Sequence, residues 1–129
     1  MNSYRNTDKD IHCRIYTYVI RCFKEIVRNI PKSLENQVII RQLSASLTSV
    51  GANDAEADAV MSPQDFVAKY SIVRKEMKET MYWISIIKDL DITRSADIDA
   101  YINEGTEILK VVSVILSKCK SRQSNLTRT

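Results

Sequence analysis

Gln42, Ser46, Ser49, Asn53 and Glu56 repeat at spacings of four, three, four and three, and Asp65, Lys69, Ile72, Glu76, Glu79 and Trp83 repeat in the same way further on. On helices, each set shares one face. Amides, hydroxyls and carboxylates beside an apolar core cost stability unless they find partners. The two stripes therefore point to a network that sets register, to a subunit contact, or to a small-ligand site. The residues of this candidate network or interface are Gln42, Ser49, Asn53, Glu56, Asp65, Lys69, Glu76, Glu79 and Trp83.

A second chemistry lies in the cations. Arg14, Thr17, Arg21, Lys24 and Arg28 alternate at spacings of three and four, which on a helix rising 1.5 Å per residue makes a ridge about 21 Å long. Nucleic-acid phosphates dock on such ridges. Lys118, Lys120 and Arg122 add cations near the C-terminus, so Arg14, Arg21, Lys24, Arg28, Lys118, Lys120 and Arg122 are the candidate nucleic-acid contacts. The net charge of +3 hides a segmentation: residues 1–32 carry +4, residues 33–107 carry −6, and residues 108–129 carry +5.

Catalytic chemistry finds less support. Glu56, Glu76 and Glu79 on facing helices invite comparison with di-iron carboxylate bundles, but those require Glu-x-x-His on two helices. The single histidine, His12, stands away from both stripes. No cysteine or serine has a placed base beside it, and no glycine-rich phosphate loop is present. We expect no enzyme, no metal and no cofactor, with Tyr82 and Trp83 serving as core or interface anchors.

These residues must be positioned by helices. Two glycines and two prolines in 129 residues leave almost no turn chemistry for a β fold. One domain over 1–129 is expected, with helices at about 8–30, 34–60, 63–90 and 95–120 and a polar tail over 121–129. Pro31 stops the first helix, Ser33 caps the second, and Ser62-Pro63-Gln64-Asp65 opens the third. Phe66, Tyr70, Val73, Met77, Ile84 and Ile87 in the third helix follow a heptad that Thr80 completes. That period predicts an all-α, up-down-up-down, left-handed four-helix bundle. Gly51, inside the second helix, reads as a close approach by a neighbour. The start of the chain lacks a signal-peptide pattern and no apolar run is long enough to span a membrane. Three cysteines without CxxC suit a reducing compartment, so a cytoplasmic protein is expected. Cys13 and Cys22 are nine positions apart, on opposite faces of one helix at about 100° per residue, and cannot ligate one metal.

The segments Val38-Ile39-Ile40-Arg41-Gln42-Leu43, Thr48-Ser49-Val50-Gly51-Ala52-Asn53 and Glu56-Ala57, followed by Asp65-Phe66, Lys69, Lys75-Glu76, Glu79-Thr80 and Tyr82-Trp83, resemble the 23S rRNA-intervening-sequence proteins over roughly residues 10–120. The resemblance implies a small bacterial four-helix bundle that assembles into a ring, a homopentamer, with no activity established for the family. Ala45 and Ala55 stand where such proteins commonly carry Arg, and Asp54 where an aromatic residue is frequent, which removes two phosphate contacts from the second helix. The expected function is a non-enzymatic, ring-forming bundle, oligomeric through helices 2 and 3, that associates weakly with structured RNA or DNA through the basic first helix and the tail. The alternative is a structural scaffold that binds a protein partner and has no nucleic-acid role.

Overall fold

In a computed structural model, which describes residues 10–93 and 96–127, the chain forms four helices packed against one another, with no strand among the described residues. They are α1 (Ile11–Glu25), α2 (Leu34–Ala57), α3 (Pro63–Asp89) and α4 (Ile98–Thr127). The expected helix starts at residues 8 and 95 lie outside the described residues. Packed pairs are α1 with α2, α2 with α3, α3 with α4, and α4 with α1.

Local chemistry sets most of the boundaries. Asp10 caps α1 by accepting from the His12 amide at 2.9 Å, and Ser33 and Ser62 cap α2 and α3 through the amides of Asn36 and Asp65. Helix α1 ends at Glu25 and not at Ile30, a correction with two causes. Asn29 Nδ2 donates to the Glu25 carbonyl at 2.9 Å, taking a free helix-end acceptor, and Ile30 is extended because Pro31 follows it. Between them Val27–Asn29 tighten into a 3₁₀ turn. Helix α2 stops at Ala57 rather than Val60, since the chain must be extended again by Ser62 to cap α3.

At the end of α3, Asp91 adopts the left-handed conformation (φ 53°) that glycine usually supplies. The Asp91 amide donates to the Lys88 carbonyl and the Ile92 amide to the Ile87 carbonyl, closing the helix with a paired cap. Helix α4 is capped by Asp97, which accepts from the Ala100 amide at 3.1 Å. It continues through the expected tail to Thr127, because Ser121 to Thr127 contain neither Gly nor Pro to break it.

The core runs the length of the bundle, with Ile15, Leu47, Met77 and Ile108 among its fully buried side chains. The α3 heptad is buried at Tyr70, Val73, Met77, Thr80, Ile84 and Ile87. On α1 Ile15, Tyr18 and Cys22 face the core, whereas Tyr16 and Ile20 are 44% and 36% exposed. Among the described residues no helix is long and apolar enough to cross a membrane.

Gly51 does lie against α1, yet a Cβ there would meet Val19 Cγ2 at 3.7 Å, an ordinary contact. The position with no room is Gly105 on α4. A Cβ there would stand 2.2 Å from Met81 Sδ and 2.7 Å from the Tyr18 hydroxyl.

Candidate functional site

The α2–α3 seam divides its polar residues into separate pairs. Glu56 and Lys69 meet across it at 3.2 Å on the solvent side. Asn53 donates to the Ser49 carbonyl at 2.9 Å within α2, and Trp83 Nε1 donates to Glu79 at 3.4 Å within α3. Gln42 and Asp65 are exposed, and the Glu76 carbonyl lies 2.9 Å from the Thr80 hydroxyl oxygen. A buried polar contact of this seam joins Thr80 to Ser46: the Thr80 hydroxyl donates to Ser46 Oγ at 2.9 Å, and Ser46 in turn donates to the Leu43 carbonyl. Both hydroxyls are thereby satisfied without water.

A polar cluster that the sequence reading did not single out closes one end of the bundle. Asp54, 1% exposed, accepts from the Tyr70 hydroxyl at 2.8 Å and lies 2.6 Å from His12 Nδ1. The other ring nitrogen of His12 is 3.1 Å from Asp58. One imidazole thus ties the first turn of α1 to the last turns of α2, and Tyr70 ties α3 to the same carboxylate. The sequence does carry a mark of it. Leu43, Leu47, Val50 and Ala57 are the core stripe of α2, and Asp54 falls on that stripe, where a carboxylate must have buried partners.

A histidine oriented by a carboxylate is also half of a nucleophilic triad. Here the second nitrogen faces Asp58, where a serine or thiol would stand in a triad, and the two nitrogens point along different edges of the ring. Among the described residues, no group of three or more His, Cys, Asp or Glu converges to hold a metal ion. Of the thiols, Cys22 is fully buried, and burial pushes its pKa up to about 12, which keeps it protonated at neutral pH.

The basic residues of α1 fall into two environments. Arg14 forks onto Glu104 of α4, with Nε at 3.1 Å and Nη2 at 2.6 Å from the two carboxylate oxygens. The hydrogen bond to Glu104 raises its pKa further. Arg21 lies with its guanidinium carbon 5.6 Å from the centre of the Tyr101 ring, and its Nε is 3.5 Å from Glu25. The Tyr101 hydroxyl donates to the Glu25 carboxylate and lowers its pKa. Lys24 and Arg28 are exposed to solvent.

Between α1 and α4 the chain leaves a groove of about 370 Å³ lined by Cys13, Arg14, Thr17, Tyr18, Arg21, Ala100, Tyr101 and Glu104. Buried Tyr18, whose hydroxyl donates to the Tyr101 carbonyl at 2.8 Å, forms the floor. Lys118, Lys120 and Arg122 are exposed on α4. Lys118 stands 14 residues beyond Glu104, about 21 Å at 1.5 Å per residue, so the two basic groups do not form one patch. Arg122 instead lines a small apolar depression with Pro63, Phe66 and Cys119 at the start of α3. Arg128 of the tail lies outside the described residues.

Comparison with curated proteins returns no match. A crystal structure of a protein with unknown function from the S23 ribosomal protein family of Bacteroides thetaiotaomicron is similar to this chain, with a TM-score of 0.74 and 26% identity. The similarity covers 83% of this chain and 98% of that one. The family model described as 23S rRNA-intervening sequence protein matches residues 8–114. With its four packed helices and a match over most of its length, the chain belongs to the 23S rRNA-intervening sequence protein family.

Proposed function

We propose that this chain is a non-enzymatic cytoplasmic bundle protein that assembles into a ring, a homopentamer, through α2 and α3 and associates weakly with structured RNA or DNA. The observation that carries the nucleic-acid reading is the set of solvent-facing cations: Arg21, Lys24 and Arg28 on α1, and Lys118, Lys120 and Arg122 on α4. They belong to a chain whose family is described by an insertion in 23S rRNA. Paired Arg14 contributes less, because a phosphate there competes with Glu104.

The ring reading draws support from the α2–α3 side of the bundle, where Val38 and Tyr82 are 47% and 57% exposed. An up-down-up-down, left-handed arrangement is supported by the order of contacts: Phe66 lines a depression with Cys119, Arg74 bonds Ser113 and Lys88 pairs with Asp99, so α4 partners descend as α3 ascends. The seven-residue spacing of Tyr70, Met77 and Ile84 supports the hand.

The test is a titration of labelled structured RNA and duplex DNA at about 50 and 200 mM salt, with particle mass recorded in parallel. Several phosphate contacts predict an affinity loss of orders of magnitude between the two salts, at constant pentamer mass. A stable oligomer that binds neither probe at low salt assigns the chain to a protein scaffold instead.

A further inference from the structure

We propose that the α1–α4 groove is where an unpaired nucleotide of a structured nucleic acid lodges, its phosphate held by Arg21, Thr17 and the outer edge of Arg14. This inference rests on the nucleic-acid reading above and names its contact point. Three features of the groove carry it: volume, donors and shape.

At about 370 Å³, the groove is within the range of small-ligand sites, roughly 300–1,000 Å³. Its rim is rich in donors. A guanidinium carries five N–H groups, and the fork from Arg14 to Glu104 uses Nε and Nη2, which leaves its Nη1 edge for an incoming oxygen. Arg21 meets Glu25 through Nε at 3.5 Å, its side chain is 60% exposed, and its guanidinium carbon lies 5.6 Å from the centre of the Tyr101 ring. Thr17 adds a hydroxyl one helical turn from each arginine. A phosphate oxyanion is the ligand that two guanidinium edges and a hydroxyl lining one groove recognise.

Shape then selects the form of the nucleic acid. In a paired duplex the phosphates lie on a convex outer surface and the bases are locked in the stack. A depression one nucleotide in size, with Tyr18 and Arg21 in its lining, is entered only by a nucleotide splayed from a loop or bulge. The base or sugar then fills the groove, and the exposed guanidinium of Arg21 offers a stacking face. Glu104 opposes any anion and sets the weakness of the association. Neutralising it therefore tightens binding, the reverse of what a purely structural Arg14–Glu104 pair predicts.

The experiment measures binding of three labelled probes to the full chain: an RNA hairpin with an unpaired loop, a DNA hairpin of the same sequence, and a blunt RNA duplex of equal length. Both hairpins present the same phosphodiester, and the tighter one identifies the source. The expected result is hairpin binding at least tenfold tighter than duplex binding at about 50 mM salt. Arg21→Ala then weakens the hairpin complex roughly tenfold, the scale of one charged hydrogen-bonding group, and lowers the slope of log affinity against log salt by about 1. Glu104→Gln, which preserves size and fold, tightens it several-fold.

Hairpin binding that is unchanged by Arg21→Ala, weakened by Glu104→Gln, or matched by the duplex overturns the groove assignment while leaving the nucleic-acid reading in place. Failure of all three probes to bind at low salt overturns both.

Discussion

The two glycines stand in helix interiors and differ only in what surrounds them, so replacing each with alanine isolates tertiary packing from helix propensity. Alanine is worth about 1 kcal/mol over glycine in a helix interior. At position 51 the new methyl would meet Val19 at 3.7 Å without strain, so Gly51→Ala stabilises the protein by about 0.5–1 kcal/mol. At position 105 the same propensity gain applies, but the methyl would stand 2.2 Å from Met81 Sδ and 2.7 Å from the Tyr18 hydroxyl. Met81 can change rotamer. Tyr18 cannot move freely, because it is 4% exposed and held by its bond to the Tyr101 carbonyl. Overpacking costs about 1–3 kcal/mol, and loss of a buried hydrogen bond a further 1–3 kcal/mol. After the propensity gain, Gly105→Ala destabilises by about 1–5 kcal/mol. Urea denaturation read from midpoints at constant slope measures both variants. Tyr18→Phe combined with Gly105→Ala removes the offending oxygen and recovers part of the loss, which a double-mutant cycle resolves. Equal effects of the two alanine variants would refute the packing argument.

Asp54→Ala removes the buried carboxylate that meets both His12 Nδ1 and the Tyr70 hydroxyl and costs about 3–5 kcal/mol, the scale of a broken buried pair, while Lys69→Ala at the exposed Glu56 pair costs less than about 1 kcal/mol; urea midpoints that fall equally would show that the buried cluster does no more than a surface pair. Folded protein treated with a thiol reagent is modified at Cys13 and Cys119, and Cys22 reacts only after denaturation, counted by mass spectrometry; labelling of Cys22 under native conditions would contradict its burial. The carboxylate of Glu25 titrates below its ordinary value of 4.5 because Tyr101 donates to it. Its contribution to stability is therefore present above pH 4.5 and is lost as pH falls through the folded value. Tyr101→Phe returns Glu25 toward 4.5 and flattens that part of the acid limb, which a carboxyl NMR titration checks.

The sequence by itself determined what depends on neighbours within one turn. Ser33, Ser62 and Pro63 announced two helix starts because a cap is made by a residue and the amide three positions on. Tyr70, Val73, Met77, Thr80, Ile84 and Ile87 marked the buried face of α3 because helical period is a local property. Even the family was legible, since residues 38–83 carry its pattern. The pairing of residues far apart in the chain was decided by tertiary structure alone. Arg14 and Glu104 are 90 residues apart, and nothing in the spacing of the basic ridge says that one of its cations is held by a carboxylate of α4. His12, isolated in the sequence, meets Asp54 because α1 begins at the level where α2 ends. Periodicity tells which side of a helix faces inward, whereas the level at which two helices meet is set by packing along their whole length. That level determines which charges neutralise one another, which glycine has no room, and where a groove opens.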